Sequence, residues 1–429
     1  MGVIDEVDSA APRRLDLQTL AFAAMALGTA VLLAGLCLVM VREPFEHIDD
    51  LIWLGKLRHD SIAQLPFAQA WIGTSPFYRP VTVLILKLLN SAFGLSLVPY
   101  RLAQFAALLL LLWCSRRVVR QIGLRTETMF LLTVFIIGSP FISGSILWLS
   151  DLQQVIVLIC FAAGLAALLS DRPSTHRLTL CSLAFAVALL TKETGLALLI
   201  FYPFLVREQP VRATAAFGLI SVGYFVSRAL VLGPAAAASG PDEEVGYLFQ
   251  FLSRAQKHAL FPGSSIYLLY GYDVAVQAIA LFLRLTKWGM VIKEVEYETV
   301  LQIASTGLIV LGAGAWRKRP VACLLLTGVA LGGLLFSYSS ARDRHLAVPG
   351  YAYGLLLAIA VDALQARWRW IVFCVWAAWA MQAAITVRGV HRASVNLIEN
   401  VYRPNLTPTD PHVALDVWIS ARETALRLR

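Results

Sequence analysis

The chain has 429 residues, of which 58% are hydrophobic and 15% are charged, and its mean hydropathy is +0.70. This composition excludes a soluble globular protein, a disordered chain and a coiled coil. The formal net charge is +9, but the basic residues cluster at the ends of apolar runs, where membrane topology and anionic lipid head groups account for them. We therefore predict an all-α integral membrane protein that has no nucleic-acid partner.

The first apolar run, Gln18–Val41, follows two basic residues, Arg13 and Arg14. No small-residue cleavage site comes after it, as a signal peptide would require. We expect a retained anchor, with a cytoplasmic N-terminal tail at residues 1–17 and one polytopic transmembrane domain at residues 18–388.

Nine apolar runs have roughly the 20 residues that a helix needs to cross the hydrocarbon core of a membrane. They are Gln18–Val41, Tyr100–Val119, Thr128–Leu147, Leu152–Ser170, Arg212–Gly233, Thr299–Trp316, Pro320–Tyr338, Leu346–Leu364 and Trp370–Val387. A further run, Leu178–Val206, is interrupted by Lys192 and Glu193. Because charges in hydrocarbon cost at least ~2.5 kcal/mol each, we favour a hairpin of two short helices with its tip in a water-accessible depression over one long helix. The hairpin brings the total to about eleven spans.

Residues 42–98, between the first two spans, are predicted to form one large external loop. The run Val81–Leu89 is too short to span, and treating it as a span would place the basic cluster Arg116–Arg125 outside, against the positive-inside tendency. We expect amphipathic surface helices at Asp50–Arg58 and Val81–Phe93 instead.

A second external segment is predicted at residues 234–298. Its apolar run Ser264–Leu285 contains Asp273 and Gln277, so we place it at the membrane interface. If this run were a span and the hairpin a single helix, the number of spans would again be eleven, and residues 207–298 would change sides.

The first external loop carries an acidic group in the sequence EPFEHIDDLIWL. Asp49 and Asp50 are adjacent carboxylates, and such a pair can deprotonate an acceptor hydroxyl as a general base or can bind a divalent cation. The alternative is that one of them caps the amphipathic helix that follows. Both roles are compatible, because one aspartate can cap while its neighbour faces the site.

Several cations are predicted to lie near the same face of the membrane. They are Arg58, His59, Arg79, Arg101, Lys192, Arg342, Arg344 and His345. Arginine and lysine at the edge of the bilayer suit a phosphate or pyrophosphate that is carried on a lipid. For any single one, snorkelling or contact with lipid head groups is the alternative. Asp151, at a span boundary, is expected to pair with one of these cations or to hold a sugar hydroxyl.

Several short segments occur in an order that a known family shares. The first span is followed by HIDD, YRPV, a surface helix ending in FGL and a span beginning PYRLAQF; later come SPFISGSILWLSDLQQV, LLTKETGLALLIFYP and ARDRHLAVPGYAYG. Together they resemble the polytopic GT-C glycosyltransferases, of the protein-mannosyltransferase and aminoarabinose-transferase type, over residues 18 to about 365. The resemblance implies a GT-C-type helical bundle and an inverting transfer of a sugar from a polyprenyl-phosphate donor, at the external face of the inner (plasma) membrane.

The resemblance also implies roles for single residues. Asp49 matches the first-loop carboxylate that acts as base or positions the acceptor, and Asp50 and Asp151 become candidates for acceptor or sugar contact. The positions expected to hold the lipid phosphate are Arg79, Lys192, Arg342 and Arg344, with Arg101 and His345 as further members. Fixed cations would stabilise the charge on the phosphate leaving group. No cofactor is expected, and a divalent metal, Mg or Mn, would be held by Asp49 and Asp50 if one takes part.

The acceptor is expected to be a lipid-linked glycan or another envelope component, because the region after the last span is only an external tail at residues 389–429. An O-antigen polymerase or ligase that uses lipid-pyrophosphate glycans is the first alternative, with residues 234–298 as its late external loop. A secondary transporter is the second, although its charges would lie near the midplane and its sequence would show repeats. A non-enzymatic scaffold is the third, and the charges gathered at one face argue against it.

Overall fold

The computed structural model describes residues 17–46, 48–57, 70–72, 75–233, 254–287, 290–291, 294–335, 346–365, 367–368 and 370–427. In the first half of the chain the α-helices are α1 (Leu17–Met40), α2 (Asp49–Leu57), α3 (Pro80–Phe93), α4 (Leu97–Ile122), α5 (Glu127–Gly138), α6 (Pro140–Leu147), α7 (Leu152–Leu168), α8 (Ser174–Thr191), α9 (Tyr202–Val206) and α10 (Pro210–Leu232). In the second half they are α11 (Arg254–Leu260), α12 (Tyr267–Leu283), α13 (Tyr297–Leu311), α14 (Pro320–Leu335), α15 (Ala347–Gln365), α16 (Ile371–Leu397) and α17 (Leu415–Arg427).

Two short antiparallel hairpins lie between helices. β1 (Ala70–Ile72) pairs with β2 (Ser75–Phe77), just before α3. β3 (Thr286–Lys287) pairs with β4 (Met290–Val291), between α12 and α13. With two or three residues in each strand, these hairpins connect helices and add no sheet layer to the bundle.

Eight helical segments among the described residues are long and apolar enough to cross a membrane, and counting one bent pair as a span makes nine. The bent pair is α5 and α6, which meet at 67°. Pro140, the first residue of α6, lacks the N–H that a continuous helix would donate, so the run predicted as a single span at Thr128–Leu147 is broken there. The all-α multi-pass membrane architecture is confirmed, whereas the predicted number of eleven spans is not.

The core of the bundle lies around α7 and α15, most of whose residues are buried. Small residues bring the helices together. A Cβ added to Gly354 of α15 would lie 2.5 Å from the ring of Phe135 on α5, and one added to Gly350 would lie 2.8 Å from Cβ of Phe141 on α6. Close approach through small residues is the usual way in which helices pack inside membranes. α1 and α10, by contrast, bury few residues, as lipid-facing helices do.

The predicted break at Lys192 is confirmed as a hairpin, although its first helix, α8, is itself long and apolar enough to cross a membrane. α8 ends just before Lys192, whose backbone is extended (φ −160°, ψ 150°), and the chain returns as a 3-10 helix, Glu193–Phe201, that continues into α9. Gly195 packs directly on α8, because an added Cβ would lie 2.5 Å from the carbonyl carbon of Ala188. Lys192 therefore lies at the turn of the hairpin, and Glu193 begins the 3-10 helix that returns from it.

The two helices predicted in the first external loop are present as α2 and α3. Pro80 is the first residue of α3, a position at which the missing N–H costs nothing and the fixed φ angle favours the helix. α2 buries most of its residues, which is more than a helix resting on the membrane surface would bury. The first loop is therefore packed onto the bundle along α2.

The run predicted as an interfacial segment at Ser264–Leu285 forms a short 3-10 helix followed by α12. Together these two elements are long and apolar enough to cross a membrane, which is the alternative to the interfacial placement. Asp273 and Gln277 are almost completely buried within it, so they face protein rather than lipid.

The C-terminal region is more ordered than a simple tail. α16 continues to Leu397, past the predicted domain end at residue 388, and a π-helical turn, Ile398–Tyr402, follows it. α17 packs against α2 through buried Val417, whose Cγ2 would lie 3.6 Å from a Cβ added to Gly55. The C-terminal region therefore lies at the same end of the bundle as the first loop.

We expect the hairpin tip to be accessible to water and the last residue of α8 to be inaccessible. Thr194 is half-buried, whereas Thr191 is 0% exposed. In a background with the two cysteines that are not buried, Cys37 and Cys374, replaced by serine, Thr194→Cys should react from outside with a membrane-impermeant thiol reagent, and Thr191→Cys should not. Thr175→Cys, exposed at the other end of α8, should react only after the membrane is permeabilised. Protection of Thr194→Cys would contradict a water-accessible tip.

Candidate functional site

Glu46 organises the beginning of α2. Its Oε2 accepts the main-chain N–H groups of Ile48 at 2.9 Å and of Asp49 at 2.6 Å. These contacts satisfy donors that lack a partner within the helix, so Glu46 supplies the capping that the sequence suggests for an aspartate. Asp49, the predicted base, is half-buried at this position.

Asp50 ties α2 to the turn that precedes α7. It is 1% exposed, and its Oδ1 accepts the N–H of Ser150 at 2.8 Å while its Oδ2 accepts the N–H of Glu46 at 3.0 Å. Burial raises the pKa of Asp50 from 3.8 to about 6, against the opposing influence of Arg101 and the two backbone donors. Burial likewise raises the pKa of Glu43 to about 7. Each carboxylate oxygen of Asp50 accepts a backbone N–H group. Asp50 is therefore placed to fix the conformation of the loop.

Arg101 holds the first loop against the bundle. It is 1% exposed, and its Nε and Nη2 donate to the carbonyl oxygens of Glu43 and Pro44. Its Nη1 donates to the carbonyl oxygen of Leu147 at 2.7 Å and to Oε1 of Gln104 at 2.8 Å. All three guanidinium nitrogens thus bind protein acceptors, so the structure gives Arg101 a role in the fold and no geometric support for the predicted phosphate contact.

Asp151 and Lys192 meet at one end of the bundle. Asp151 lies in the 3-10 turn Leu149–Asp151 before α7, and Lys192 lies at the hairpin tip. Nζ of Lys192 is 3.9 Å from Oδ1 of Asp151, and both side chains are less than one-tenth exposed. The expectation that Asp151 pairs with one of the cations is confirmed.

Glu193 is shared by two arginines. Nε and Nη2 of Arg79 donate to its Oε2 at 3.1 and 2.9 Å, and Nη1 of Arg228 donates to its Oε1 at 2.9 Å. Arg79 also donates through Nη1 to Oε1 of Gln153 at 3.2 Å. Two cations against one carboxylate leave an excess of one positive charge beside the Lys192 ion pair.

Arg228 and Glu193 are not among the site residues predicted from the sequence. Glu193 follows Lys192 in the hairpin motif, where it was expected only to interrupt the apolar run. Arg228 is an arginine inside the apolar run that forms α10. Ionisable residues within membrane spans are costly and commonly functional. Arg228 could therefore have been identified from the sequence by this pattern.

Arg342, Arg344 and His345 lie outside the described residues. The same is true of His47, Arg58 and His59. Among the residues that the structure does describe, no group of three or more His, Cys, Asp or Glu side chains is placed to hold a metal ion. The phosphate contacts of Arg342, Arg344 and His345 stay predictions, as does the expectation that the protein needs no cofactor. The elements that carry the other predicted site residues meet at one end of the bundle. These residues are Asp49, Asp50, Asp151, Arg79 and Lys192.

We expect the stability of the protein to fall as pH rises from about 4 to about 7, in part through Asp50. Its folded-state pKa of about 6 is above the ordinary value of 3.8, so the folded state binds more protons than the unfolded state in this range, and the free energy of unfolding decreases as the carboxyl ionises. Two pKa units correspond to about 3 kcal/mol. Thermal midpoints in detergent across this range measure the slope, which Asp50→Asn should flatten. An equal slope in the variant would contradict the raised pKa.

No protein-family profile matches the sequence, and no curated protein matches it significantly. The fold, however, is found among solved structures. A crystal structure of ArnT from Cupriavidus metallidurans bound to undecaprenyl phosphate matches with a TM-score of 0.57 at 14% identity, over 95% of this chain and 88% of that chain. A crystal structure of the same ArnT in the apo state matches with a TM-score of 0.43 at 15% identity, over 94% and 85% of the two chains. On the first of these matches, the chain shares the fold of that ArnT along nearly its whole length.

Proposed function

We propose that the protein is an inverting membrane glycosyltransferase that transfers a sugar from a polyprenyl-phosphate donor. The observation that carries the proposal is the gathering of Arg79, Lys192 and Arg228 at the hairpin tip, at the end of the bundle that also bears Asp49 and Asp50. The GT-C fold supports it, as does the undecaprenyl phosphate bound to the similar ArnT.

Arg228 suits the binding of a phosphate that arrives on a lipid. It projects from α10, a helix with few buried residues, so a phosphate held in the bilayer surface can reach it from the lipid side. Within the described part of the chain its hydrogen bonds run through Nη1, to Glu193 and to the hydroxyl of Tyr224 at 3.3 Å. Its Nε and Nη2 are left for phosphate oxygens, which guanidinium groups bind in pairs.

In the proposed reaction, an acceptor hydroxyl attacks the anomeric carbon of the donor sugar, and the bond from that carbon to the phosphate oxygen breaks. Asp49 takes the proton of the hydroxyl, and the polyprenyl phosphate leaves with the bonding electrons. The cations at the hairpin tip stabilise its charge. We further propose that Arg342, Arg344 and His345 complete the phosphate site and that Asp151 contacts the sugar.

The reaction is proposed to take place at the external face of the inner or plasma membrane. The basic clusters Arg116–Arg125 and Arg172–Arg177 lie at the C-terminal end of α4 and at the N-terminal end of α8, which is the end of the bundle away from the hairpin tip. Positive residues concentrate on the cytoplasmic side of membrane proteins, which supports an external site. A lipid-linked glycan is the proposed acceptor, because such a molecule shares the membrane surface with the donor.

The test supplies purified protein in detergent with radiolabelled polyprenyl-phosphate sugars and a membrane lipid extract. We expect label to move into a new lipid or glycan, and Asp49→Asn to serve as the inactive control. Joining of lipid-pyrophosphate glycans, with no use of monophosphate donors, would identify a polymerase or ligase instead. Uptake of a solute by reconstituted vesicles without any transfer would identify a transporter, and either result contradicts the proposal.

A further inference from the structure

The C-terminal end of the chain contacts the loop that carries Asp49. We define the C-terminal strap as the π-helical turn Ile398–Tyr402 together with α17. Tyr402 and Trp418 are both 0% exposed, and their rings stack with centroids 5.1 Å apart. Nε of Arg422 donates to the carbonyl oxygen of Tyr402 at 2.7 Å. α17 therefore contacts both the side chain and the main chain of Tyr402.

Tyr402 reaches the first loop directly. Its hydroxyl donates to the carbonyl oxygen of Phe45 at 2.7 Å, and the ring of Phe45 packs edge-on against Tyr100 at 5.4 Å. Farther along the loop, a Cβ added to Gly55 of α2 would lie 3.6 Å from Cγ2 of Val417. The C-terminal strap therefore touches both the residues before α2 and α2 itself.

The contact at Phe45 is one residue from the group that fixes the start of α2. Glu46 accepts the N–H of Asp49 and donates its own N–H to Asp50. A shift of the Phe45 carbonyl would therefore move Glu46 and the first turn of α2 with it. A π-helical turn is rare and frequently occurs at functional sites, and here it ends on Tyr402.

We propose that Tyr402 is a positioning residue, through which the C-terminal strap holds Asp49 in the geometry that sugar transfer requires. The effect on sugar transfer rests on the proposed function. Tyr402 contacts the loop and acts on Asp49 through it. Misplacing a reacting group by about 1 Å can cost on the order of 100-fold in rate. The C-terminal strap therefore acts on kcat, whereas the cations at the hairpin tip act on donor binding.

Hydrogen–deuterium exchange of the full-length protein in detergent tests the positioning without any activity. Tyr402→Phe removes the hydroxyl and keeps the stacked ring. We expect the amides of Glu46, Ile48 and Asp49 to exchange about fivefold faster than in the wild type, as for the loss of one ordinary hydrogen bond. Unchanged exchange at these amides overturns the proposal.

Tyr297→Phe is the matched control. It removes a hydroxyl that donates to the carbonyl oxygen of Ala378 at 3.0 Å, away from the first loop, and should leave the three amides unchanged. Arg422→Gln is the second variant, because it loosens α17 from the turn and keeps the Tyr402 hydroxyl; faster exchange at the same amides is again expected. Faster exchange throughout the molecule in both variants would indicate general destabilisation and would overturn the positioning role.

Kinetics provide the second readout. In the transfer assay we expect Tyr402→Phe to lower kcat about tenfold with an unchanged KM for the donor, and Tyr297→Phe to change neither constant. Faster exchange at the loop with an unchanged kcat overturns the positioning role. If the wild-type protein transfers no sugar, the proposed function fails, and the exchange result alone decides whether the C-terminal strap holds the loop.

Discussion

Asp49→Asn is expected to lower the rate of sugar transfer by about 10²- to 10⁴-fold, the range of general base catalysis. The amide that replaces the carboxylate cannot accept the proton of an attacking hydroxyl at neutral pH. Folding should change little, because the side chain is half-buried and the contact that fixes its backbone comes from Glu46. Single-turnover transfer and the thermal midpoint in detergent measure the two effects separately.

Two further aspartates make the comparison specific. Asp171 is exposed after α7, at the other end of that helix from Asp151, and Asp171→Asn should transfer sugar at the wild-type rate. Asp50→Asn keeps one acceptor oxygen for the two backbone donors that Asp50 now holds, so we expect it to lower stability as well as rate. Wild-type transfer by Asp49→Asn, together with loss of transfer in a folded Asp50→Asn, would assign the base to Asp50.

The apolar runs predicted most of the helices because a membrane-spanning helix must satisfy its backbone internally and needs a fixed length of apolar sequence. The hairpin at Lys192 followed from the cost of placing charge in hydrocarbon, and the structure has a turn at that residue. The bend between α5 and α6 was missed, since the run Thr128–Leu147 is uniformly apolar and hydropathy does not register the backbone effect of Pro140.

The C-terminal strap was missed for a different reason. Its helix α17 is polar overall and buries a narrow face that includes Val417 and Ala421, so no apolar run marks it. α16 also continues beyond Val387, where Arg388 and later polar residues end the run but not the helix. Hydropathy locates the membrane boundary, whereas the helix is ended by its own turn chemistry and packing.

The order of motifs predicted which elements meet at the site, but not which side chains pair there. Arg79 and Arg228 are far apart in sequence, and in the structure both bind Glu193. Arg101 illustrates the opposite case, since its position near the loop was expected while its binding to backbone carbonyls was not. Pairing depends on side-chain geometry that composition and spacing do not specify.

Gly195→Ala is expected to destabilise the protein by about 3 kcal/mol, the upper part of the usual range for overpacking. An added Cβ would lie 2.5 Å from the carbonyl carbon of Ala188, 2.6 Å from its oxygen and 2.6 Å from the nitrogen of Leu189. These are backbone atoms of α8, so no side-chain rotation relieves the clash and the two arms of the hairpin must separate. A lowered thermal midpoint in detergent measures the effect.

Gly223→Ala provides the control for this substitution. Gly223 lies on α10, where an added Cβ meets nothing within 4 Å, so the alanine should not lower the midpoint and should favour the helix. The two variants also differ in what they do to the site. Separation of the hairpin arms would move Lys192 away from Asp151, now 3.9 Å distant, and Glu193 away from Arg79, so the Gly195→Ala protein that remains folded should transfer sugar more slowly. A Gly195→Ala protein with wild-type midpoint and rate would show that the hairpin tip tolerates displacement, and Lys192 would then not be the fixed cation that holds the leaving phosphate.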